Sequence, residues 1–461
     1  MSRPACATCS TVFMNTARAI RKWAATTSCS SMCRCNGWLL AAALLCGVAR
    51  AEPVVVLTSY PEAMMTRFED AFARAHPEHR LQLVWRQGFD ALPFLLQPGQ
   101  GGVDVYWAPS PGNFARLARQ DGWQPLGADL TGLPERIGGT ALRDQGRHYQ
   151  ATELAGFGFA TNPQLLRRLD VPAPRDWPDL LDPRLRGHIA LPDPARVGFA
   201  PVMLDIVLDA YGWERGWALW SELAGQSRLV SLGGTLVSDE VASGRAAVGL
   251  SIDFFVASAI ANGDDVGFVY PAHGGLNPAH IAITAQASHP EGARAFVGFV
   301  LSEEGQKLLA DPEIRKLPAR PSVYAQLPQG YHDPFAAARQ GAYRYGNDAS
   351  REHLGLVTSL FSQWLGQSHP RLVALWGRVH AGEASGHDLQ AVRACLTQPP
   401  LDAEQARSPE LLALFAQRQD HGMQPAPSNE TDALGRQEIG WQFQAALRFA
   451  EAERLLSGMG L

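Results

Sequence analysis

The stretch Ser238-Asp-Glu-Val-Ala-Ser-Gly-Arg-Ala-Ala-Val-Gly-Leu-Ser-Ile-Asp-Phe-Phe255 decides the fold class of this chain. Its first half reads as a short helix stopped at Gly244, and its second as an apolar strand that ends at Asp253 beside two aromatics. In open α/β sheets, ligands sit outside the carboxyl ends of the strands. Asp253, Phe254 and Phe255 therefore stand where a bound molecule is read.

The same alternation extends outward from this segment. Val54 to Thr58 is a β-branched run followed by Ser59-Tyr60, and Pro61 opens a helix with Met64, Phe68, Ala71, Phe72 and Ala75 at helical spacing. Leu81–Trp85 and Val103–Trp107 read as strands, the second leading through Ala108-Pro-Ser-Pro-Gly112 into a helix around Phe114–Leu117. Further strands read at Phe157–Ala160, His188–Leu191 and Leu229–Leu232, with helices Pro201–Tyr211 and Trp213–Leu223 between the last two. Strand His280–Thr284 and helix Pro290–Leu301 resume the pattern. From about Pro334, Arg/Glu/Leu-rich helical segments replace the strands, with a Pro/Ser/Asn linker at Gln424–Asn429. Alternating β and α elements imply mostly parallel sheets, here two of similar size.

A chain of 461 residues with 46% apolar content supplies material for at least two cores. Trp38–Val48 is an apolar run preceded by Arg34 and followed by Ala49-Arg50-Ala51, which reads as a signal peptide cleaved after Ala51, with Met32 as the natural start. Six of the seven cysteines lie before that cut, leaving Cys395 and no intrachain disulfide in the exported chain. The leader also removes six basic and no acidic residues, so 34 basic residues face 45 acidic ones and the net charge becomes −11. Such a balance argues against nucleic-acid binding. No H-E-x-x-H, G-x-S-x-G or P-loop motif occurs, so no catalytic residue and no cofactor is expected. His76, His79, His273, His280 and His289 are scattered over separate loops and a Pro77-broken helix end, and read as structural rather than metal ligands.

Five segments together resemble one family, the extracytoplasmic solute-binding proteins of ABC importers: Gly156-Phe-Gly-Phe-Ala-Thr-Asn162, Trp177–Gly187, Tyr211-Gly-Trp-Glu-Arg-Gly-Trp217, the opening segment, and His289–Leu308. The resemblance implies an α/β, two-lobed periplasmic binding protein type II fold with two hinge crossings, near Gly156–Ala160 and Ala279–Thr284, plus a C-terminal helical extension. The implied organisation is a leader over 1–51, lobe 1 over 52–155, lobe 2 over 156–273, a return to lobe 1 over 274–325 and the extension over 326–461. Within the family the chain is most similar to the branch of ferric-ion, sugar-phosphate and phosphoglycerate transport regulatory proteins. Ferric members place two adjacent tyrosines after the strand that here precedes Asp253, because phenolate oxygens suit a hard cation. Phe254 and Phe255 have no donor atom, which argues against iron.

The resemblance also directs attention to the strand-end loops. Helix N-termini near Pro61, Pro111, Phe199 and Thr235, backbone at Gly198 and Gly234, and hydroxyls of Ser59, Ser110 and Thr235 suit a phosphate or phosphonate, although Ser and Thr at such places equally serve as caps. Val197-Gly198-Phe199 departs from the Ser-Gly-Thr phrase of phosphate-binding relatives and lacks its hydroxyls. Arg196 and Arg320 are candidate anion forks or bridges between lobes. Asp253, an acceptor when ionised, suits a sugar hydroxyl or an ammonium group, or caps the helix that follows. Tyr60, Trp107 and Phe254 offer faces for a sugar or pack in the core. The expected protein is a periplasmic monomer that delivers a small, phosphorylated or phosphonate-type metabolite to an inner-membrane permease, or reports it to a sensor histidine kinase. On this reading Asp253→Ala weakens ligand binding and leaves thermal stability nearly unchanged.

Overall fold

The computed structural model describes residues 52–231, 234–346, 353–420 and 432–461. The signal-peptide reading of 1–51 and the linker Gln424–Asn429 fall outside them.

Eight strands follow one another along a hydrogen-bonded path in the order Leu81–Trp85, Val54–Thr58, Val105–Ala108, Leu276–Thr284, Tyr149–Thr161, Val248–Ile252, Ile189–Pro192 and Ser227–Val230. The first three are mutually parallel, as are the last three. The two central strands run antiparallel to each other and to their outer neighbours. Parallel pairs joined by helices account for the flanks, and the central pair is where the chain passes between them.

Tyr149–Thr161 belongs to both halves. Its residues Tyr149–Gly156 pair with Leu276–Ala282, and Phe157–Thr161 pair with Val248–Ile252. The partner therefore changes between Gly156 and Phe157. Only the second part, Phe157–Ala160, is legible in the sequence, because buried Gln150, Thr152 and Glu153 interrupt the apolar run. The chain returns to the first half through Tyr270–Gly275, upstream of the expected Ala279–Thr284, where the strand instead carries a register shift between Ala279 and His280. Gly156 is glycine for a steric reason: a Cβ there would lie 2.5 Å from Cε1 of Tyr270.

In the first half, helices Glu62–Ala75 and Pro290–Leu301 cover one sheet face. Trp107 meets Phe68 edge-on at 4.8 Å, and Phe72 meets Phe296 at 5.2 Å. In the second half, helices Ala200–Tyr211 and Trp213–Gln226 are covered in turn by the C-terminal helices Leu354–Phe361, His369–Ala384, Gln390–Thr397, Pro409–Asp420 and Ala433–Gly458. The C-terminal helices share one apolar core with the second half. Trp217 packs on Trp364 at 5.7 Å, and Gly225 admits the Trp376 ring where a Cβ would clash at 2.0 Å. Pro334–Arg339 and Tyr343 lie elsewhere, packed with Leu154, Leu276 and Leu317 beside the strand switch.

One ion cluster fastens the C-terminal helices to the second half. The Glu222 carboxylate, buried on the Trp213–Gln226 helix, accepts from Arg393 Nη1 at 2.7 Å and lies 2.8 Å from His380 Nε2, while Arg393 Nε reaches Glu383 at 2.5 Å. Removing the guanidinium leaves a buried carboxylate poorly paired. Arg393→Ala is expected to lower stability in urea unfolding by about 1–3 kcal/mol, and an unchanged midpoint would show the cluster to be dispensable.

Candidate functional site

The strand switch creates a hydrogen-bonding deficit that Asp253 fills. The Gly156 N–H points to the side where Val248–Ile252 has ended, and the next residue, Asp253, accepts it on Oδ2 at 2.8 Å. Tyr270, from the returning segment, donates its hydroxyl to the same oxygen at 3.0 Å. Asp253 is 8% exposed and opens the helix Asp253–Ala261, which carries no side-chain cap. Burial pushes its carboxyl up to about 6, against the opposing pull of the Gly156 N–H and Lys316.

A second buried carboxylate, Glu153, lies three residues before the switch on the same long strand. It accepts from the Tyr60 hydroxyl and from Thr152 Oγ1, and Thr152 also accepts the Trp107 indole N–H at 2.9 Å. Burial raises the Glu153 carboxyl, while Lys316 opposes the shift. Between the two carboxylates stands Lys316, 8% exposed, its Nζ 3.6 Å from the centre of the Phe254 ring and 5.7 Å from that of Tyr60. Burial lowers the Lys316 ammonium, with Glu153 and Asp253 pulling it back up. Its backbone is held firmly. Tyr331 Oη donates to the Lys316 carbonyl at 2.6 Å, Tyr324 Oη to that of Pro318 at 2.8 Å, and Leu317-Pro318 pairs with Leu154 and Glu153.

The Tyr60 and Tyr270 phenols are each held protonated by burial and by donation to a carboxylate. Behind Tyr270 the His332 ring stacks at 3.6 Å, and His332 Nε2 lies 2.6 Å from the Tyr343 hydroxyl. Burial holds His332 down to about 4, so it is neutral and braces the Tyr270 ring without adding charge.

The residues singled out in the sequence divide into two groups. Tyr60, Asp253 and Phe254 come together around Lys316, with Ser59 half-buried at the same strand end. Trp107 is wholly buried in the first half and offers no open face. Ser110 sits against Gly88, where a Cβ would lie 2.7 Å from its Oγ. Arg196 is exposed and pairs with its own loop's Asp193 at 3.5 Å, and Gly198 is exposed beside it. The Arg320 guanidinium donates to the carbonyls of Leu301, at 3.0 and 2.9 Å, and of Thr131, at 2.9 Å, so its fork binds backbone. Gly234 begins the helix Gly234–Ala242, while the side-chain surroundings of Gly234 and Thr235 lie outside the described residues. Lys316, Glu153 and Tyr270 escaped the sequence reading. A signal for Lys316 existed, since the chain has three lysines, Lys22, Lys307 and Lys316, among 40 basic residues.

Residues 120–334 match the bacterial extracellular solute-binding protein family. The phosphoglycerate transport regulatory protein PgtC of Salmonella typhimurium is 29% identical over 266 residues, covering 58% of this chain. The match spans 66% of the length of that relative. The periplasmic binding protein AfuA of Actinobacillus pleuropneumoniae, solved with fructose-6-phosphate, superposes with a TM-score of 0.52 at 17% identity, covering 68% of this chain and 98% of AfuA. Iron-bound HitA of Pseudomonas aeruginosa gives 0.51 at 16% identity, covering 62% and 91%. The chain thus has the type II periplasmic binding protein fold. Among the described residues no helix is long and apolar enough to cross a membrane.

The buried Asp253 revises the expectation of a neutral alanine variant. Asp253→Ala leaves the Gly156 N–H and Tyr270 hydroxyl without their acceptor, so a stability loss of about 1–3 kcal/mol is expected in urea unfolding. An alanine variant as stable as the parent would show those bonds to be weak. The pH dependence has a definite sign. With its carboxyl raised from 3.8 to about 6, the folded chain retains a proton that the unfolded chain has lost, so stability falls as pH rises through that window. Asp253→Asn removes this penalty and is expected to gain on the parent by up to roughly 3 kcal/mol between pH 4 and pH 7. An equal difference at both pH values contradicts it.

Proposed function

We propose that this chain is the exported solute-binding component of an ABC importer and that it binds a small, phosphorylated or phosphonate-type metabolite without turning it over. The observation that carries the proposal is the buried polar cluster of Tyr60, Glu153, Asp253, Tyr270 and Lys316 at the strand switch, to which both halves of the sheet contribute. In this reading residues 52–155 and 274–325 act as one lobe and 156–273 as the other. A solute that touches both favours the closed arrangement by its differential affinity for it.

The ligand class is drawn from the relatives. PgtC is named for phosphoglycerate transport, and AfuA was solved with a sugar phosphate. Ferric ion fits poorly, because Phe254 and Phe255 replace donor side chains and the nearby phenols are protonated. The partner is a membrane permease facing the periplasm. A sensor role is favoured by one observation, the regulatory function in the name of PgtC. Permease and ATPase genes beside this one support import, and a histidine kinase gene alone supports sensing.

A ligand that binds only the folded chain raises its stability by about 2.7 kcal/mol at a hundred times Kd. Thermal unfolding with 3-phosphoglycerate, fructose-6-phosphate, an aminoalkylphosphonate and ferric citrate is expected to show a rise of several degrees with a phosphorylated or phosphonate compound. A rise with ferric citrate alone would contradict the proposal.

A further inference from the structure

We infer that the Lys316 ammonium is the receptor for an oxyanion of the bound solute, a phosphoryl or carboxylate group carried to the meeting point of the two halves. The inference rests on the solute-binding reading and adds to it the residue and the chemical group.

The first support is a count of donors and acceptors at the cluster. Asp253 accepts from Gly156 N–H and Tyr270 Oη, and Glu153 accepts from Tyr60 Oη and Thr152 Oγ1. Four neutral donors therefore bond to both oxygens of Glu153 and to Oδ2 of Asp253. Lys316 has three N–H donors and no acceptor ability. Among the described residues its Nζ makes no hydrogen bond and no ion pair within 4.0 Å, although it is more than nine-tenths buried. Glu153 and Asp253 supply a favourable field from farther away without supplying a bond. A buried ammonium with open donors is a costly arrangement, and oxygens of an anion complete it.

The second support is the helix Asp253–Ala261. The ammonium lies over the ring of Phe254, the second residue of that helix, whose N-terminus has no side-chain cap. The positive end of the helix dipole favours negative charge at this place, and the Asp253 carboxylate in the first turn already uses part of it. The nature of the cation is a third. Of the three lysines in a chain with 40 basic residues, Lys22 is in the leader and Lys307 is exposed, leaving Lys316 as the buried one. A compact ammonium fits between the Phe254 and Tyr60 rings and can aim its donors at a small tetrahedral or planar oxyanion, whereas a guanidinium is a wide planar fork.

Calorimetric titration of the parent, Lys316→Gln and Lys316→Arg with 3-phosphoglycerate, fructose-6-phosphate, glycerate, inorganic phosphate and fructose tests the inference. Loss of a charged hydrogen-bonding partner should weaken binding of the oxyanion probe by about 10- to 100-fold in Lys316→Gln. Lys316→Arg should retain part of the affinity. Binding by glycerate as strongly as by 3-phosphoglycerate assigns the carboxylate, and its absence assigns the phosphoryl group. Unchanged affinity in Lys316→Gln overturns the role of Lys316 while leaving a solute-binding protein. Binding of fructose alone overturns the oxyanion class with the same consequence, and no binding of any of the five overturns both. Should Lys316→Gln fail to fold, the double variant Lys316→Gln/Glu153→Gln, which removes one buried carboxylate with the ammonium, is expected to show the same loss, and full affinity there overturns the inference.

Discussion

The hydrogen bond from Gly156 N–H to Asp253 sits where Tyr149–Thr161 passes from pairing with Leu276–Ala282 to pairing with Val248–Ile252. A strand shared by two sheet halves must leave a backbone group without a ladder partner at the exchange, and a buried one cannot be left to water. Asp253 answers that requirement, and the answer shapes its surroundings. Residue 156 must be glycine to admit Tyr270, Tyr270 must point its hydroxyl at the carboxylate, and His332 and Tyr343 stand behind the Tyr270 ring. A group that completes the backbone also holds ionisable chemistry where the halves meet.

Two carboxylates and one ammonium are buried within this small region, and the balance among them sets what it can accept. Both oxygens of Glu153 and one oxygen of Asp253 accept from neutral donors, while the ammonium makes no hydrogen bond among the described residues. A phenolate-binding metal would find protonated phenols there. An anion finds open donors. The C-terminal helices contribute at a distance: they complete the core of the second half around Trp217, Trp364 and Trp376, and leave the first half untouched by that core.

Much of the fold was legible because local pattern and tertiary role agreed. The segment Ser238–Phe255 reads as helix, strand and helix start, and folds as Gly234–Ala242, Val248–Ile252 and Asp253–Ala261. Where polar residues are buried the pattern failed. Gln150, Thr152 and Glu153 hid most of the long strand, and the same Glu153 hid half of the site. Fork geometry and loop position single out Arg320 and not Lys316, four residues before it. Only the fold shows that Arg320 is taken up by backbone carbonyls. The helical segments near the C-terminus were visible as helices, but periodicity does not say which surface an amphipathic face will cover.

The small number of lysines permits a direct observation. With two lysines, Lys307 and Lys316, after residue 51, NMR of the leader-free chain labelled at lysine Cε with carbon-13 gives two signals, of which Lys316 is identified by its loss in Lys316→Arg. On saturation with a solute that raises the melting temperature, the Lys316 signal should move while that of Lys307 stays in place. A saturated protein in which the Lys316 signal does not move would place the solute elsewhere and contradict a binding site at the strand switch.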